Sequence, residues 1–190
     1  MLLCPTQRVE GWYAARRGRI TASLAAAIIG QDPYKGPLAA FNEIMATSDK
    51  GGPNKHQAWG IEFEKDALAC YEVETGNLYS PTGFWTHPQY DWLGASPDGL
   101  VGEDGLVEVK CPNPENIGEA PPGHHLVQMA VQMAVLGRVW CDYVAWSQVK
   151  HLIVRVTRNL EAEAQLLEQL KGFYEKHIQT GKAPPRRRPK

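Results

Sequence analysis

A short stretch near the middle of the chain constrains the fold most strongly, because it predicts two strands joined by a tight turn. Residues 96–100 and 106–110 are the strands, and the residues between them include Gly102-Glu103-Asp104-Gly105, which is typical of a hairpin turn. Alternate residues of a strand share one face. Glu108 and Lys110 therefore point one way, while the neighbouring valines point the other. The hairpin thus has one charged face and one apolar face.

The pairing register of this hairpin decides where Asp98 lies. Simple pairing across a four-residue loop sets Asp98 opposite Val109, on the face away from Glu108. We therefore predict an irregular register, with either a five-residue loop or a bulge at Pro97 or Gly99. Such an irregularity would bring Asp98 beside Glu108.

An Asp followed, nine residues later, by Glu-x-Lys is a pattern with a chemical meaning. Asp98 and Glu108 repel each other when they are close, unless a cation lies between them. Carboxylate oxygens are ligands that suit Mg²⁺ or Mn²⁺, and Lys110 can orient or activate a water molecule beside them. The pattern is the minimal set for metal-dependent cleavage of a phosphodiester. A surface hairpin with solvated charges is the alternative at this point.

A basic cluster lies just before the first long predicted helix. Arg16 and two further arginines precede Thr21 and Ser23, and either hydroxyl can cap a helix over residues 24–29. Gly30 suits the C-terminal position of that helix. Hydroxyls and arginines at a helix N-terminus favour phosphate binding. A capped helix with solvated arginines is the alternative.

An amphipathic helix is predicted over residues 59–72, ending near Gly76. Glu64 lies one helical turn from Leu68, which belongs to the apolar stripe of this helix. Glu64 can therefore approach the interior and add another carboxylate to the site, although most helical glutamates are exposed to solvent.

The run from residue 124 to residue 137 is apolar almost all round, which predicts a buried helix. Its polar stripe is formed by Gln128 and Gln132, one turn apart. Buried amides need hydrogen-bond partners, and a face with carboxylates, water and phosphate supplies them. Core glutamines bonded to the backbone are the alternative.

The rest of the chain gives a coarse outline of helices and strands. A further helix is predicted over residues 38–47 and a loop over residues 48–55. Two strands, over residues 140–146 and 151–156, pair with each other, and Asn159 caps a final helix that extends to about residue 177. Residues 1–182 are expected to form one domain, and residues 183–190 a basic, disordered tail.

Composition is compatible with a DNA-binding protein without requiring one. The formal net charge is −1 and 43% of the 190 residues are hydrophobic, so the chain is neither strongly basic nor disordered as a whole. A few local basic patches are enough to contact phosphates. No apolar run approaches the ~20 residues that span a membrane, and there is no secretory signal. Four cysteines without a C-x-x-C spacing argue against a zinc or iron–sulfur site and fit reduced thiols in the cytoplasm.

Five motifs, in order along the chain, resemble the lambda-exonuclease family of phage alkaline exonucleases, also described as YqaJ-type viral recombinases. The motifs are R-R-G-R-I-T-A-S, W-G-x-E-F-E-x-D-A, S-P-D-G-L, L-V-E-V-K-C-P and Q-M-A-V-Q-M. This family belongs to the PD-(D/E)xK nuclease superfamily. The resemblance implies an α/β fold of the restriction-endonuclease type, with a central mixed β-sheet flanked by helices.

The resemblance also implies roles for residues of the hairpin. Asp98 and Glu108 would bind two Mg²⁺ ions, with the backbone carbonyl of Val109 as a further ligand and Mn²⁺ as a substitute metal. Lys110 would position or deprotonate the attacking water. Glu64 would support the ligands. Gln128 is favoured over its neighbour one turn later as the glutamine that contacts the water or a ligand.

The activity that the resemblance implies is processive degradation of one strand of linear double-stranded DNA from its 5′ end. The product would be a 3′ single strand for a single-strand annealing protein. Arg16, Thr21, Ser23 and Ser96 would contact the terminal 5′-phosphate. A ring-shaped homotrimer threaded by DNA would provide processivity, and the protein would act in the cytoplasm of a bacterial host as a phage or prophage product.

Two other readings stay open from the sequence. One is another nuclease of the same superfamily, either an endonuclease or a RecB-type or Cas4-like domain, although the clustered cysteines of Cas4-like proteins are absent. The other is a non-catalytic accessory protein that binds DNA ends, which would ordinarily lack one of Asp98, Glu108 and Lys110.

Overall fold

The computed structural model describes residues 1–46 and 55–186, with the backbone alone for residues 55–57. The helices are α1 (Glu10–Arg16), α2 (Ala22–Ile29), α3 (Pro37–Ile44), α4 (Lys55–Thr75), α5 (Gly123–Leu136) and α6 (Leu160–Phe173). The strands are β1 (Leu2–Cys4), β2 (Ile20–Thr21), β3 (Tyr79–Ser80), β4 (Phe84–Thr86), β5 (Leu93–Ala95), β6 (Gly99–Val101), β7 (Gly105–Lys110), β8 (Trp140–Trp146) and β9 (His151–Thr157). A 3₁₀ turn covers Pro114–Asn116, and a π-helical turn, Tyr174–Ile178, extends α6.

The predicted outline is confirmed for most of these elements. The helix expected over residues 38–47 is α3, and its last expected residue lies outside the described part of the chain. The same holds for residues 48–54 of the expected loop and residues 187–190 of the expected tail. Asn159 caps α6, as predicted, by accepting hydrogen bonds from the backbone N–H groups of Glu161 and Ala162. The single domain over residues 1–182 stays a prediction.

Two mixed sheets form the centre of the fold, which confirms the expected α/β class. The larger sheet has the strand order β3-β6-β7-β8-β9, and its β7–β8 pair is parallel while the other pairs are antiparallel. The smaller sheet has the order β1-β4-β5-β2, with β2 and β5 parallel. Among the described residues, no helix combines the length and apolar character needed to cross a bilayer.

The register of the β6–β7 hairpin differs from the predicted irregularity. Gly99 pairs with Val107 and Val101 pairs with Gly105, so the loop has three residues and the ladder is regular, with no bulge and no five-residue loop. If this pairing is extended by one residue, to the residue before β6 and the residue after Val107, Asp98 lies opposite Glu108. Gly102 makes the short loop possible because it adopts φ +54°, a left-handed conformation that favours glycine.

Strand β7 is packed on both faces, which fixes the direction of each of its side chains. Val107 and Val109 face a core cluster that includes Leu68 and Tyr71 of α4. On the opposite face, Leu106 joins a cluster with two methionines of α5. The alternation predicted from the sequence is thus confirmed. Glu108 and Lys110, on the same face as Leu106, are directed toward α5.

Candidate active site

Asp98 is held at the start of β6 by the neighbouring strand. Its Oδ2 atom accepts a hydrogen bond from the backbone N–H of Val109, with 2.7 Å between the nitrogen and oxygen atoms. Because Val109 lies directly between Glu108 and Lys110 on β7, this bond fixes Asp98 beside both charged side chains. The hairpin alone therefore brings the predicted Asp, Glu and Lys together.

Glu108 is the most enclosed charged group of the site, with 2% of its surface exposed. Its Oε1 atom accepts hydrogen bonds from Lys110 Nζ at 2.6 Å and from Gln128 Nε2 at 2.5 Å. Its Oε2 atom accepts one from Gln132 Nε2 at 2.6 Å. Both glutamines of α5 therefore bind the carboxylate rather than the backbone.

Gln128 and Gln132 nevertheless have different surroundings. Gln128 is half-buried, and its Oε1 atom also accepts a hydrogen bond from Lys110 Nζ at 3.3 Å. Gln132 is completely buried, and its Oε1 atom has no hydrogen-bond partner among the described residues. Gln128 can reach a bound water or substrate from its position, whereas Gln132 fixes the carboxylate from the protein interior.

Burial and like charges set the electrostatics of Asp98. Withdrawal from solvent raises the pKa of this carboxyl well above its usual range, and the charges of Glu108 and Glu64 raise it further. The Lys110 charge and the Val109 N–H group act in the opposite direction without compensating. The site thus holds more negative charge than its own cation neutralises.

Lys110 is affected by the same charges with the opposite sign. Burial lowers the pKa of its ammonium group, but Glu108 and Asp98 outweigh this effect and the net change is upward. The side chain is therefore protonated at neutral pH in this state. As a cation it donates hydrogen bonds and cannot accept a proton.

Glu64 reaches the site from α4, on the other side of the sheet. It forms an ion pair with Arg8, a residue whose backbone has φ +63°. The Glu64 charge adds to the upward shift of the Asp98 pKa. Arg8 was not predicted as part of the site, because a lone arginine before α1 carries no sequence signal that places it beside α4.

The donor set fits a hard divalent cation. Asp98 and Glu108 lie opposite each other on the two sides of one hairpin, and Val109, whose carbonyl is a further oxygen donor, follows Glu108 on β7. The raised pKa of Asp98 shows that a positive charge there would be stabilised. All-oxygen ligands favour Mg²⁺ or Mn²⁺ over softer metals.

The predicted phosphate-binding residues form two small groups. Trp12 connects the first group: its Nε1 donates to Ser96 Oγ at 2.9 Å, and the Arg16 guanidinium lies 4.2 Å from its ring centroid. In the second group, the hydroxyls of Thr21 and Ser23 are 3.1 Å apart and hydrogen-bonded to each other.

The two groups are linked through the smaller sheet. Strand β2 pairs with β5 so that Thr21 lies opposite Gly94, two residues before Ser96. Thr21 occupies the N-cap position of α2, one of the two predicted positions, but its side chain makes no capping hydrogen bond. The expected C-terminal glycine is confirmed, because Gly30 adopts φ +74°.

Comparison with known proteins identifies the family. The profile of the YqaJ-like viral recombinase domain matches residues 11–139, which is more than half of the chain. The chain belongs to this family. The matched range includes every residue assigned to the site above except Arg8. The resemblance inferred from the five motifs is confirmed.

Solved structures with this fold include nucleases. The chain is similar to the alkaline exonuclease LHK-Exo from Laribacter hongkongensis, at 33% identity and a TM-score of 0.79, over 92% of this chain and 96% of that one. LHK-Exo in complex with dAMP gives a TM-score of 0.80 at 32% identity, with the same coverage of both chains. A phage-related exonuclease from Haemophilus somnus shares the fold at 16% identity, with a TM-score of 0.64 over 85% of this chain and 94% of that one.

Two viral proteins are also similar in sequence. Protein R354 of Acanthamoeba polyphaga mimivirus is 23% identical over an alignment of 156 positions that covers 73% of this chain and 28% of that protein. Protein D345L of African swine fever virus is 32% identical over an alignment of 101 positions that covers 50% of this chain and 29% of that protein. The chain therefore spans less than a third of the length of these two relatives.

Proposed function

We propose that this protein is a metal-dependent deoxyribonuclease that degrades one strand of linear double-stranded DNA from its 5′ end and leaves a 3′ single strand. The observation that carries the proposal is the group around Glu108: Asp98 is bonded to the next backbone N–H on β7, and Lys110 and two glutamines of α5 donate to the Glu108 carboxylate. The similarity to LHK-Exo along nearly the whole of both chains supports the same conclusion.

Asp98, Glu108 and the Val109 carbonyl would hold two Mg²⁺ ions, with Mn²⁺ as a substitute. Bound metal supplies two effects: it lowers the pKa of a water molecule and neutralises charge on the scissile phosphate. Gln128 and Gln132 keep the Glu108 carboxylate in one orientation, since each donates to a different oxygen. Orientation of ligands by such hydrogen bonds is a general requirement of metal sites.

Lys110 would position the attacking water. In the metal-free state the charges of Glu108 and Asp98 raise its pKa, so a proton stays on Nζ, where one hydrogen bond goes to Glu108 and another to Gln128. An ammonium group has three N–H donors, which leaves one for a water molecule or a phosphate oxygen. Lys110 thereby contributes positive charge next to the phosphate, where negative charge develops in the pentacoordinate transition state.

Glu64 supports the site by charge from the α4 side, and its pair with Arg8 limits its movement. Arg16 with Ser96, and Thr21 with Ser23, would contact the terminal 5′-phosphate. Arginine and hydroxyl donors are suited to that group. The bound dAMP of LHK-Exo shows that a deoxynucleoside monophosphate is accommodated by that relative, which agrees with a product of this class here.

An exposed aromatic cluster lies close to the site and is suited to DNA. Trp59 and Phe63 of α4 have ring centroids 4.5 Å apart, and the Phe63 ring lies 6.1 Å from that of Trp146. Trp59 is 47% exposed. Trp146 follows Ala145, which pairs with Lys110, so the cluster lies at the same end of the sheet as the site, and its rings can stack on unpaired bases next to the cleaved strand.

Assembly and context complete the proposal. A homotrimeric ring would keep the enzyme on its DNA, and a single-strand annealing protein would receive the 3′ strand. The four free cysteines agree with the reducing cytoplasm of a bacterial host. Light scattering tests the trimer, and a purely monomeric protein at working concentration would contradict it.

The activity is tested with three DNA substrates, incubated with Mg²⁺ and with EDTA: linear duplexes with 5′-phosphate or 5′-hydroxyl ends, and closed circular DNA. We expect metal-dependent loss of the 5′ strand of linear DNA, faster with the phosphate, and no cleavage of the circle. Glu108→Gln should be inactive, whereas Glu103→Gln, in the exposed turn of the same hairpin, should be fully active. Cleavage of the circle would indicate an endonuclease. No cleavage at all would leave a DNA-end-binding protein.

A further inference from the structure

A second group of metal-ligating side chains lies away from the nuclease site. Cys70 and Glu74 belong to α4, and His151 opens β9. One ligand atom from each residue, namely the thiol sulfur, a carboxylate oxygen and an imidazole nitrogen, lies within 4.8 Å of the other two. In a tetrahedral zinc site the ligand atoms are roughly 3.5 Å apart, as follows from metal–ligand bonds of about 2.0–2.3 Å. Small side-chain rotations are enough to close this difference.

The backbone explains why these three residues meet. Cys70 and Glu74 are four residues apart, so they lie on the same face of α4. Alternate residues of β9 face that helix: Arg155 binds Asp142 beneath Tyr71, and Ile153 packs on the cluster that contains Tyr71. His151 is the next residue of the same face. The face of α4 that carries Cys70 and Glu74 therefore lies against the face of β9 that carries His151.

None of the three side chains has another hydrogen bond or ion pair within the part of the chain that the structure describes. Glu74 and His151 are exposed and Cys70 is half-buried, so a metal can enter from solvent. Three ligand types are available for coordination at once, and a water molecule can take the fourth position. A purely structural ion pair would engage the Glu and the His and leave the Cys unused.

We propose that Cys70, Glu74 and His151 form a site for Zn²⁺ or a similar borderline transition-metal ion, separate from the nuclease site. Thiolate and imidazole ligands select such metals, whereas Mg²⁺ prefers oxygen ligands alone. This site needs no C-x-x-C spacing, because Cys70 and Glu74 lie one turn apart on α4 and His151 comes from β9. Zinc binding displaces the thiol proton of Cys70.

A metal ion bound to these three residues would link the C-terminal part of α4 to the first residue of β9. The same helix carries Glu64, six residues before Cys70. Bound zinc would therefore hold the helix that supports the nuclease carboxylates against the sheet. The proposal does not depend on the nuclease function, and its test uses no DNA.

The test uses the full-length protein with Asp98→Asn, which weakens metal binding at the nuclease site, after removal of metals with a chelator. Co²⁺ is then added as a probe, because a cobalt–thiolate bond gives a charge-transfer absorption band. We expect one equivalent to produce the band. We also expect saturating Zn²⁺ to raise the melting temperature by about 5 °C, as ligand binding to the folded state does.

Variants identify the ligands. In the same background, Cys70→Ser should abolish the band, and His151→Gln or Glu74→Gln should weaken Co²⁺ binding by about tenfold or more. Cys111→Ser, a half-buried cysteine next to Lys110, should leave the band unchanged. Circular dichroism confirms that each variant is folded. A missing band, or a band lost with Cys111→Ser and kept with Cys70→Ser, would overturn the proposal.

Discussion

Replacing Asp98 by Asn should stabilise the metal-free protein and abolish its activity at the same time. Asparagine has nearly the same shape, and its carbonyl can still accept the hydrogen bond from the Val109 N–H group. The negative charge, which burial and the charges of Glu108 and Glu64 disfavour, is lost. The folded state therefore gains free energy, whereas the unfolded chain, where the charges are apart, changes little.

The expected gain is about 1 kcal/mol, in the range typical of substitutions that remove a functional conflict. For a protein of this size, this corresponds to a rise in melting temperature of about 2–4 °C. The loss of a metal ligand removes several kcal/mol of transition-state stabilisation, and about 4 kcal/mol corresponds to roughly 10³-fold in rate. The melting temperature should therefore rise while the activity falls, whereas a general folding defect would lower both.

The pH dependence gives an independent check of the sign. Because the folded-state pKa of Asp98 is raised, the native state binds more protons than the unfolded state between the unfolded and folded pKa values. The contribution of this group to stability therefore falls as the pH rises through that interval. The advantage of the Asn variant should be absent below the unfolded pKa of an Asp, about 3.9, and should grow toward neutral pH.

The assay is thermal unfolding in EDTA and in Mg²⁺, together with digestion of linear duplex DNA. The matched control is Asp104→Asn, an exposed residue in the turn of the same hairpin. Mg²⁺ should stabilise the wild-type protein and the control but not the Asp98 variant. A lower melting temperature for Asp98→Asn in EDTA, or activity close to that of the wild type, would refute the electrostatic reasoning.

Three further predictions concern the glutamines, the metal and the 5′ end. Gln132→Met should cost about 1–2 kcal/mol of stability, or about 2–8 °C in melting temperature. Gln128→Met should cost less, since Lys110 also donates to the same Glu108 oxygen; equal losses would contradict these roles. Because the pKa of Asp98 is raised, Mg²⁺ binding should release protons at mildly acidic pH, and the affinity for Mg²⁺ should increase as the pH rises. Calorimetry in two buffers of different ionisation enthalpy measures the number of protons released. Binding without proton release would contradict this prediction. Arg16→Ala should reduce the preference for 5′-phosphate over 5′-hydroxyl ends in a digestion assay. The control variant Lys171→Ala, on the exposed face of α6, should keep that preference. An unchanged preference in Arg16→Ala would show that Arg16 does not bind the 5′-phosphate.

The grouping of the candidate site residues could be predicted because its signal is local. The alternation along β7 and the spacing of the glutamines on α5 depend only on the periods of a strand and a helix. The hairpin register was predicted incorrectly because it depends on the conformation of one residue, Gly102, which the sequence does not specify. Both Gly102 and Gly105 suit the turn by composition, so the sequence does not show that Gly105 belongs to the strand and that the loop is shorter than four residues.

The contacts that the sequence could not predict are those between distant segments. Arg8 meets Glu64 across 56 positions of the chain, and Trp12 meets Ser96 across 84. No periodicity connects such pairs, because their distance depends on the packing of whole elements. The group of Cys70, Glu74 and His151 was missed for the same reason.

If the proposed site holds a metal, its carboxylates link the stability of the fold to that metal. Glu108 is buried between β7 and α5, with Lys110 as the cation bonded to it, while Asp98 and Glu64 add further negative charge. Lys110 pairs with Glu108 and Arg8 with Glu64, but the net effect of burial and like charges still raises the pKa of Asp98, so the metal-free protein carries an electrostatic cost at its main sheet. A divalent cation removes that cost, and stability should therefore rise with Mg²⁺ concentration in the absence of DNA. The surrounding core keeps the carboxylates together without the metal, because both faces of β7 are packed against helices. The rigidity of the hairpin thus maintains a charge arrangement that only the metal can neutralise.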